Sequence, residues 1–213
     1  MSNVSQALIM RWKAATRFAR PSSQTSDKME SLDVDIQGPY GWPRFEGSRT
    51  RLPTISGVYL MTFEYRDGFL PYGFGITRRP LRKRFLEHTR SYITGNYNIL
   101  DLEAAQQGIR KVAWKGWSWT PEKRADFEAR RSEIVALAQQ QISATRIFVM
   151  RIGAASRLLE RIEGALGRHF YQNENTLCDR GMFLAPRWQT EEPILATIRC
   201  GSVLYELPSQ LEI

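Results

Sequence analysis

Between Gly57 and His88 the chain runs GVYLMTFEYRDGFLPYGFGITRRPLRKRFLEH, and this stretch constrains the fold more than any other. Val58 to Phe63 is a β-rich run, Asp67-Gly68 supplies a hairpin turn, and Phe69 to Thr77 returns as a second strand. Pro71 has no amide proton to give to a ladder, which favours an edge position or a place among the first residues of the returning strand. Thr77 can cap the helix that follows, in which Leu81, Phe85 and Tyr92 form an apolar stripe. On that helix Arg84 and His88 stand at i and i+4, one turn apart on one face. With Tyr59 on the first strand they bring together a phenol, a guanidinium and an imidazole, groups suited to gripping and hydrolysing a phosphodiester.

The remaining elements follow from pattern. Residues 5–18 carry Ala7, Leu8, Trp12, Ala15 and Phe18 at helical spacing, and a break at 21–26 follows. Leu32, Val34 and Ile36 alternate as in a strand, ahead of a turn-rich run over 37–43. A helix starts at Thr120-Pro121 with Phe127, Ile134, Leu137 and Ala138 on its face. Arg146 to Gly153 reads as a third strand, about 155–170 as another helix, and 194–199 with 202–206 as a terminal hairpin around Cys200-Gly201. Together these predict one compact α/β (α+β) domain over 51–176 with an inserted helical segment at 95–145. An N-terminal helical extension covers 1–50 and a C-terminal extension with a β-hairpin covers 177–213.

Charge narrows the partners. Thirty Lys and Arg against 22 Asp and Glu give a formal +8 over 213 residues, which favours a polyanion, nucleic acid before an anionic membrane surface. No segment approaches the ~20 consecutive apolar residues of a membrane span, and the N-terminus is interrupted by Arg11, Lys13 and Arg17, unlike a secretory signal. The expectation is a soluble, cytoplasmic protein. Its two cysteines, Cys178 and Cys200, are too few and too far apart for a disulfide scaffold or a zinc knuckle. Two histidines in the whole chain exclude a multi-histidine metal centre, so a role for His88 is protonic or orienting.

One carboxylate stands out. In the run 158–170, Glu163 shares a helix face with Leu159, Leu166 and Phe170, where a carboxylate is costly unless an arginine or a divalent cation satisfies it. Glu160 lies on a polar face and is ordinarily solvated. The Trp114, Trp117 and Trp119 cluster either stacks on bases or buries the insertion against the core.

The order and spacing of these pieces resemble the GIY-YIG nuclease domain. The family's first motif ends in tyrosine, here Gly57-Val58-Tyr59, and its second ends in glycine, here Gly73-Phe74-Gly75. An Arg-x-x-x-His helix, Arg84 to His88, and a downstream helical glutamate, Glu163, complete the set over roughly residues 57–175. The resemblance implies a small central, mostly antiparallel three-stranded sheet flanked by helices. It implies a metal-dependent DNA endonuclease in which Tyr59 activates water, Arg84 clamps the phosphate and Glu163 holds one Mg2+ or Mn2+ ion. Arg78, Arg79, Arg82 and Lys83 would contact the nucleic acid. Asn175, with Asn173 as the alternative, resembles a polar residue that some members place after the glutamate helix. The position of the family's second tyrosine is Gly73, with Tyr72 one residue away; since a one-residue shift turns a side chain to the other face, Tyr72 substitutes only if a bulge re-aims it. The alternative is a catalytically impaired nucleic-acid-binding module of the same fold. Strandedness, and monomer versus homodimer, stay open.

Overall fold

The computed structural model describes residues 29–43, 52–116, 121–152, 156–180 and 184–213. The expected helix over 5–18, the break at 21–26, Trp117, Trp119 and the Thr120 start lie outside these. The strands are β1 (Glu30–Gly41), β2 (Gly57–Tyr65), β3 (Gly68–Thr77), β4 (Ile99–Leu100), β5 (Val112–Trp114), β6 (Arg146–Met150), β7 (Ile194–Cys200) and β8 (Gln210–Glu212). The helices are α1 (Leu81–Ile93), α2 (Leu102–Gln106), α3 (Pro121–Ala129), α4 (Arg131–Ala144) and α5 (Ser156–Gln172). Among the described residues no helix is long and apolar enough to cross a membrane.

The sheet corrects the three-stranded expectation. Six strands form one mixed sheet in the order β3-β2-β6-β1-β7-β8, and β4 and β5 make a separate two-stranded sheet. The anticipated β3, β2 and β6 are neighbours in it, antiparallel throughout. On the far side of β6 lies β1, which pairs Ile36 with Met150 and Tyr40 with Ile147, and β1 in turn pairs parallel with β7, Leu32 opposite Ala196. The physical reason is that a three-stranded sheet would leave β6 with a bare row of amides and carbonyls. It would also leave part of α5 uncovered, because that helix shares one core cluster with Val34, Ile36, Ala196 and Leu211 as well as with β2. Residues 30–41, expected in an extension, are therefore an inner strand.

The C-terminal hairpin differs too. β7 returns through β8, pairing Ala196 with Leu211, and not through 202–206. That segment instead crosses to the opposite edge of the sheet: Phe69 N donates to Val203 O at 2.9 Å and Tyr205 N to Phe69 O at 2.8 Å. The sheet is thereby curled, its two edges drawn together at one end.

Both faces are covered, which is why β2 is buried from Gly57 to Phe63 without alternation. Tyr59, Met61 and Phe63 pack with Leu81, Phe85 and Tyr92 of α1 and Ile134, Ala138 and Ile142 of α4. Val58 and Leu60 face α5 through Leu159, Ile162, Leu166 and Phe170. The helix expected from Thr120 is two helices, divided at Arg130, whose backbone leaves helical geometry at φ −113°. Thr77 does not cap α1. Its hydroxyl accepts from Arg79 N at 3.1 Å and donates to Arg79 O at 2.9 Å, while Ile55 O satisfies the first amide of the helix at 3.0 Å.

Candidate active site

The site is built at the β3 edge of the sheet. Tyr59 pairs with Gly75 across the β2–β3 ladder, and a Cβ on Gly75 would stand 2.6 Å from the phenolic oxygen. Glycine at 75 thus lets the Tyr59 ring lie across β3. Two residues farther along, Met61 pairs with Gly73 but Thr62 pairs with Pro71, so Tyr72 is the extra residue of a bulge. The bulge turns Tyr72 onto the Tyr59 face, where its ring stacks on Phe63 with centroids 4.3 Å apart. Thr145 Oγ1 donates to Gln141 O at 2.8 Å, so the 2.7 Å contact between Tyr72 and Thr145 is one in which the phenol donates.

α1 brings up the other groups. Leu81, Phe85 and Tyr92 bury its inner stripe, and Trp42 pins it, edge-on to Phe85 at 4.8 Å and donating Nε1 to Thr89 at 2.8 Å. His88 Nε2 lies 2.8 Å from the Tyr59 hydroxyl, and Arg84 Nε donates to the same oxygen at 3.3 Å. Burial pushes the Tyr59 phenol up to about 12 against the pull of Arg84. Burial, with Arg84 adding to it, pushes His88 down to about 3. Both groups are therefore neutral around pH 7, with the phenol donating to Nε2. Raising Tyr59 and lowering His88 opposes proton transfer between them until new charge enters the site.

Glu163 enters from α5. It is half-buried while Leu159, Leu166 and Phe170 on the same face are buried. Burial raises its pKa; a hydrogen bond from the Ile76 amide and the charges of Arg84 and Arg78 oppose that rise. Tyr59, Arg84, His88 and Glu163 all line one cleft of about 340 Å³, which is also lined by Tyr72, Tyr92, Tyr97, Leu100, Gln141 and Cys178.

Arg78, Arg79, Arg82 and Lys83 do not line this cleft, although the charge of Arg78 reaches Glu163. Arg82 and Lys83 are exposed in the first turn of α1, which carries no acidic residue, so these cations oppose the helix dipole. Arg79 is exposed and forms a two-point pair with Glu87, the closer contact at 2.7 Å. Arg78 pairs with Glu160, which also meets Arg157 at 3.2 Å, so Glu160 is bridged and not simply solvated. Asn175 is exposed and does not line the cleft; its amide is taken by Asn173 Oδ1 at 3.0 Å. Trp114 is buried and donates to Gly95 O at 2.8 Å, which locks the insertion to itself.

Sequence reasoning missed Gln141 and Tyr97. Gln141 carried a readable signal, since a glutamine among buried Ile134, Ala138 and Ile142 breaks an apolar helix face just as Glu163 does. Tyr97 sits in an irregular connection whose placement no local pattern encodes.

Among the described residues no three His, Cys, Asp or Glu side chains gather to form a cage. A single carboxylate suits magnesium, which binds through one or two carboxylates and completes its shell with waters and substrate phosphate oxygens. His88 Nε2 is already engaged by Tyr59, which removes it as a ligand. No protein-family model, curated protein or solved structure matches the chain.

Proposed function

We propose that the protein is a metal-dependent DNA endonuclease that hydrolyses phosphodiester bonds, with the motif set of the GIY-YIG superfamily on an enlarged sheet. The observation that carries this reading is the Tyr59 hydroxyl held between Arg84 Nε and His88 Nε2 in the cleft that Glu163 also enters. Tyr59 Oη is the atom that takes the proton of the attacking water, and His88 Nε2 is the acceptor for the phenol's own proton. Arg84, whose side chain is 33% exposed, spends Nε on Tyr59, meets Glu87 through Nη1 at 3.5 Å, and would offer the remaining edge of its guanidinium to a phosphate. Glu163 would hold the Mg2+ or Mn2+ ion, which when bound supplies positive charge to the phosphate and the leaving oxygen. Arg78, Arg79, Arg82 and Lys83, just before and at the start of α1, would supply charge suited to the DNA backbone, consistent with the formal +8 of the chain.

The reading is tested by cleavage of single-stranded, duplex and branched oligonucleotides with and without magnesium. Arg84→Ala and Glu163→Ala are each expected to abolish magnesium-dependent scission while the folded protein still binds DNA; parental cleavage by either variant rejects the assignment.

One observation favours the second reading, a nucleic-acid-binding module that does not cut. The Tyr72 proton is committed to Thr145, so the site presents one phenol and not two. DNA binding that falls steeply with salt, together with no scission by the parent in magnesium or manganese, would select that module.

A further inference from the structure

Of the residues that the motifs supply, Tyr59 alone turns its phenol to substrate; the inserted segment supplies another. Tyr97 is half-buried on the connection between α1 and β4 and lines the same cleft as Tyr59, Arg84 and Glu163. Backbone bonds fix that connection: Gly95 N donates to Tyr92 O at 2.9 Å, and Ser91 O accepts from Asn96 N at 2.9 Å and from Tyr97 N at 3.3 Å. The ring of Tyr97 packs edge-on to Tyr92 with centroids 5.2 Å apart, and tilted on His88 at 5.7 Å. Backbone and ring are therefore held, and the hydroxyl is what they present.

Its polar neighbours in the cleft wall are engaged. Tyr72 donates to Thr145, and Tyr92 and Gln141 hydrogen-bond in turn to Tyr72. Asn98 accepts from Gly116 N at 2.8 Å and donates to Asp179 at 2.9 Å, and Cys178 Sγ donates to Pro71 O at 3.9 Å. The Tyr97 hydroxyl has no hydrogen-bond partner among the described residues. Burial is the main force that raises the Tyr59 phenol, and Tyr97 adds to it. Burial opposes the raised pKa of Arg84, which Tyr59 and, after it, Tyr97 support. Both couplings put the free hydroxyl on the side of the Tyr59–Arg84 pair.

A phosphate entering a cleft walled by rings leaves water behind on more than one oxygen. Arg84 has given Nε to Tyr59 and meets Glu87 through Nη1, so its remaining edge does not enclose a phosphate alone. A neutral O–H beside it adds a second donor, and hydrogen bonds to an anion are the strong ones.

We propose that Arg84 and Tyr97 are two halves of a phosphate clamp, the guanidinium taking one non-bridging oxygen and the Tyr97 hydroxyl donating to the other. The clamp takes a phosphate oxyanion, free or within a nucleic-acid strand. The inference rests on the hydrolase reading only where it names that phosphate as the scissile one. There Tyr97 is a catalytic residue, its hydroxyl donating to the charge that grows on the oxygen as water attacks.

The test is NMR titration of the full chain with inorganic phosphate, without magnesium, for the parent, Tyr97→Phe and Arg84→Ala. Tyr97→Phe keeps the ring that packs on His88 and Tyr92, and Glu163, common to all three proteins, cancels from the comparison. Tyr97→Phe is expected to weaken phosphate binding about tenfold, and Arg84→Ala to remove it. No saturable binding by the parent, or equal affinity of the parent and Tyr97→Phe, overturns the clamp. The second arm is single-turnover cleavage of a single-stranded oligonucleotide in magnesium, which Tyr97→Phe is expected to slow about a hundredfold. Parental scission by a Tyr97→Phe protein whose phosphate affinity has fallen overturns the catalytic role and puts the clamp on a flanking phosphate. Weakened phosphate binding with no scission by the parent leaves the clamp standing and removes the hydrolase; magnesium-dependent scission with undiminished phosphate affinity in Tyr97→Phe does the reverse.

Discussion

Gly75 lies directly opposite Tyr59 in the β2–β3 ladder, and a methyl group on it would occupy the space of the phenolic oxygen, 2.6 Å from its centre. That oxygen is backed by His88 Nε2 at 2.8 Å, so it has little room to retreat. Gly75→Ala is therefore expected to cost about 1–3 kcal/mol of stability and to lower cleavage about a hundredfold, since a displacement near 1 Å suffices for such a loss. Gly73→Ala is the contrast, because the added methyl would meet the terminal methyl of Met61, which can rotate away. Melting curves and nicking rates of the two variants check this, and a Gly75→Ala protein that cuts at the parent rate rejects the placement of Tyr59.

Glu163 is destabilising as an anion. Burial raises its pKa, so the folded state prefers the carboxylic acid, and its unfavourable contribution appears as pH rises through the folded pKa. Glu163→Gln keeps the shape, removes the charge, and is expected to raise the melting temperature at neutral pH without magnesium. Magnesium is expected to raise the melting temperature of the parent and not of the variant. An equal response of both proteins to the ion places the metal elsewhere.

The elements legible in the sequence are those with local signals. β2, β3 and α1 follow from a β-rich run, a turn and an apolar stripe, and Glu163 stood out because it interrupts such a stripe. The parallel pairing of β1 with β7 has no such signal, because Leu32 and Ala196 are brought together only by the whole intervening chain. The bulge that re-aims Tyr72 entered only as a condition on its role, and the partner of its hydroxyl, Thr145, belongs to the distant end of α4. Gln141 was legible by the same reasoning as Glu163, since it too interrupts a buried helix face.

Tyr72 separates packing from chemistry. Its phenol donates to Thr145 in a buried network, and burial pushes its pKa up to about 12. Tyr72→Phe removes the donor and leaves Thr145 Oγ1 short of one bond, at a cost of about 1–2 kcal/mol. Cleavage by the folded variant is expected to stay within about threefold of the parent, against the factor of about 10² to 10⁴ typical of a lost acid or base. A fall of that larger size at unchanged fold would make Tyr72 a second catalytic phenol.

His88 sets an acid limit on the fold. Its native pKa lies near 3 because burial, with Arg84 nearby, disfavours the imidazolium, while the unfolded chain titrates near 6.5. Between these values the unfolded state binds a proton that the native state refuses, so stability falls as pH drops from about 6.5 toward 3. The slope from this residue is at most about 1.4 kcal/mol per pH unit, and above 6.5 the contribution vanishes. His88→Gln supplies a neutral side chain that can still meet the Tyr59 hydroxyl, and it is expected to remove that part of the slope. Denaturant unfolding of parent and variant at about pH 5 and about pH 7 measures the difference directly. If both lose the same stability over that interval, His88 is not held neutral against Tyr59, and the proton acceptor on which the proposed mechanism depends is lost with it.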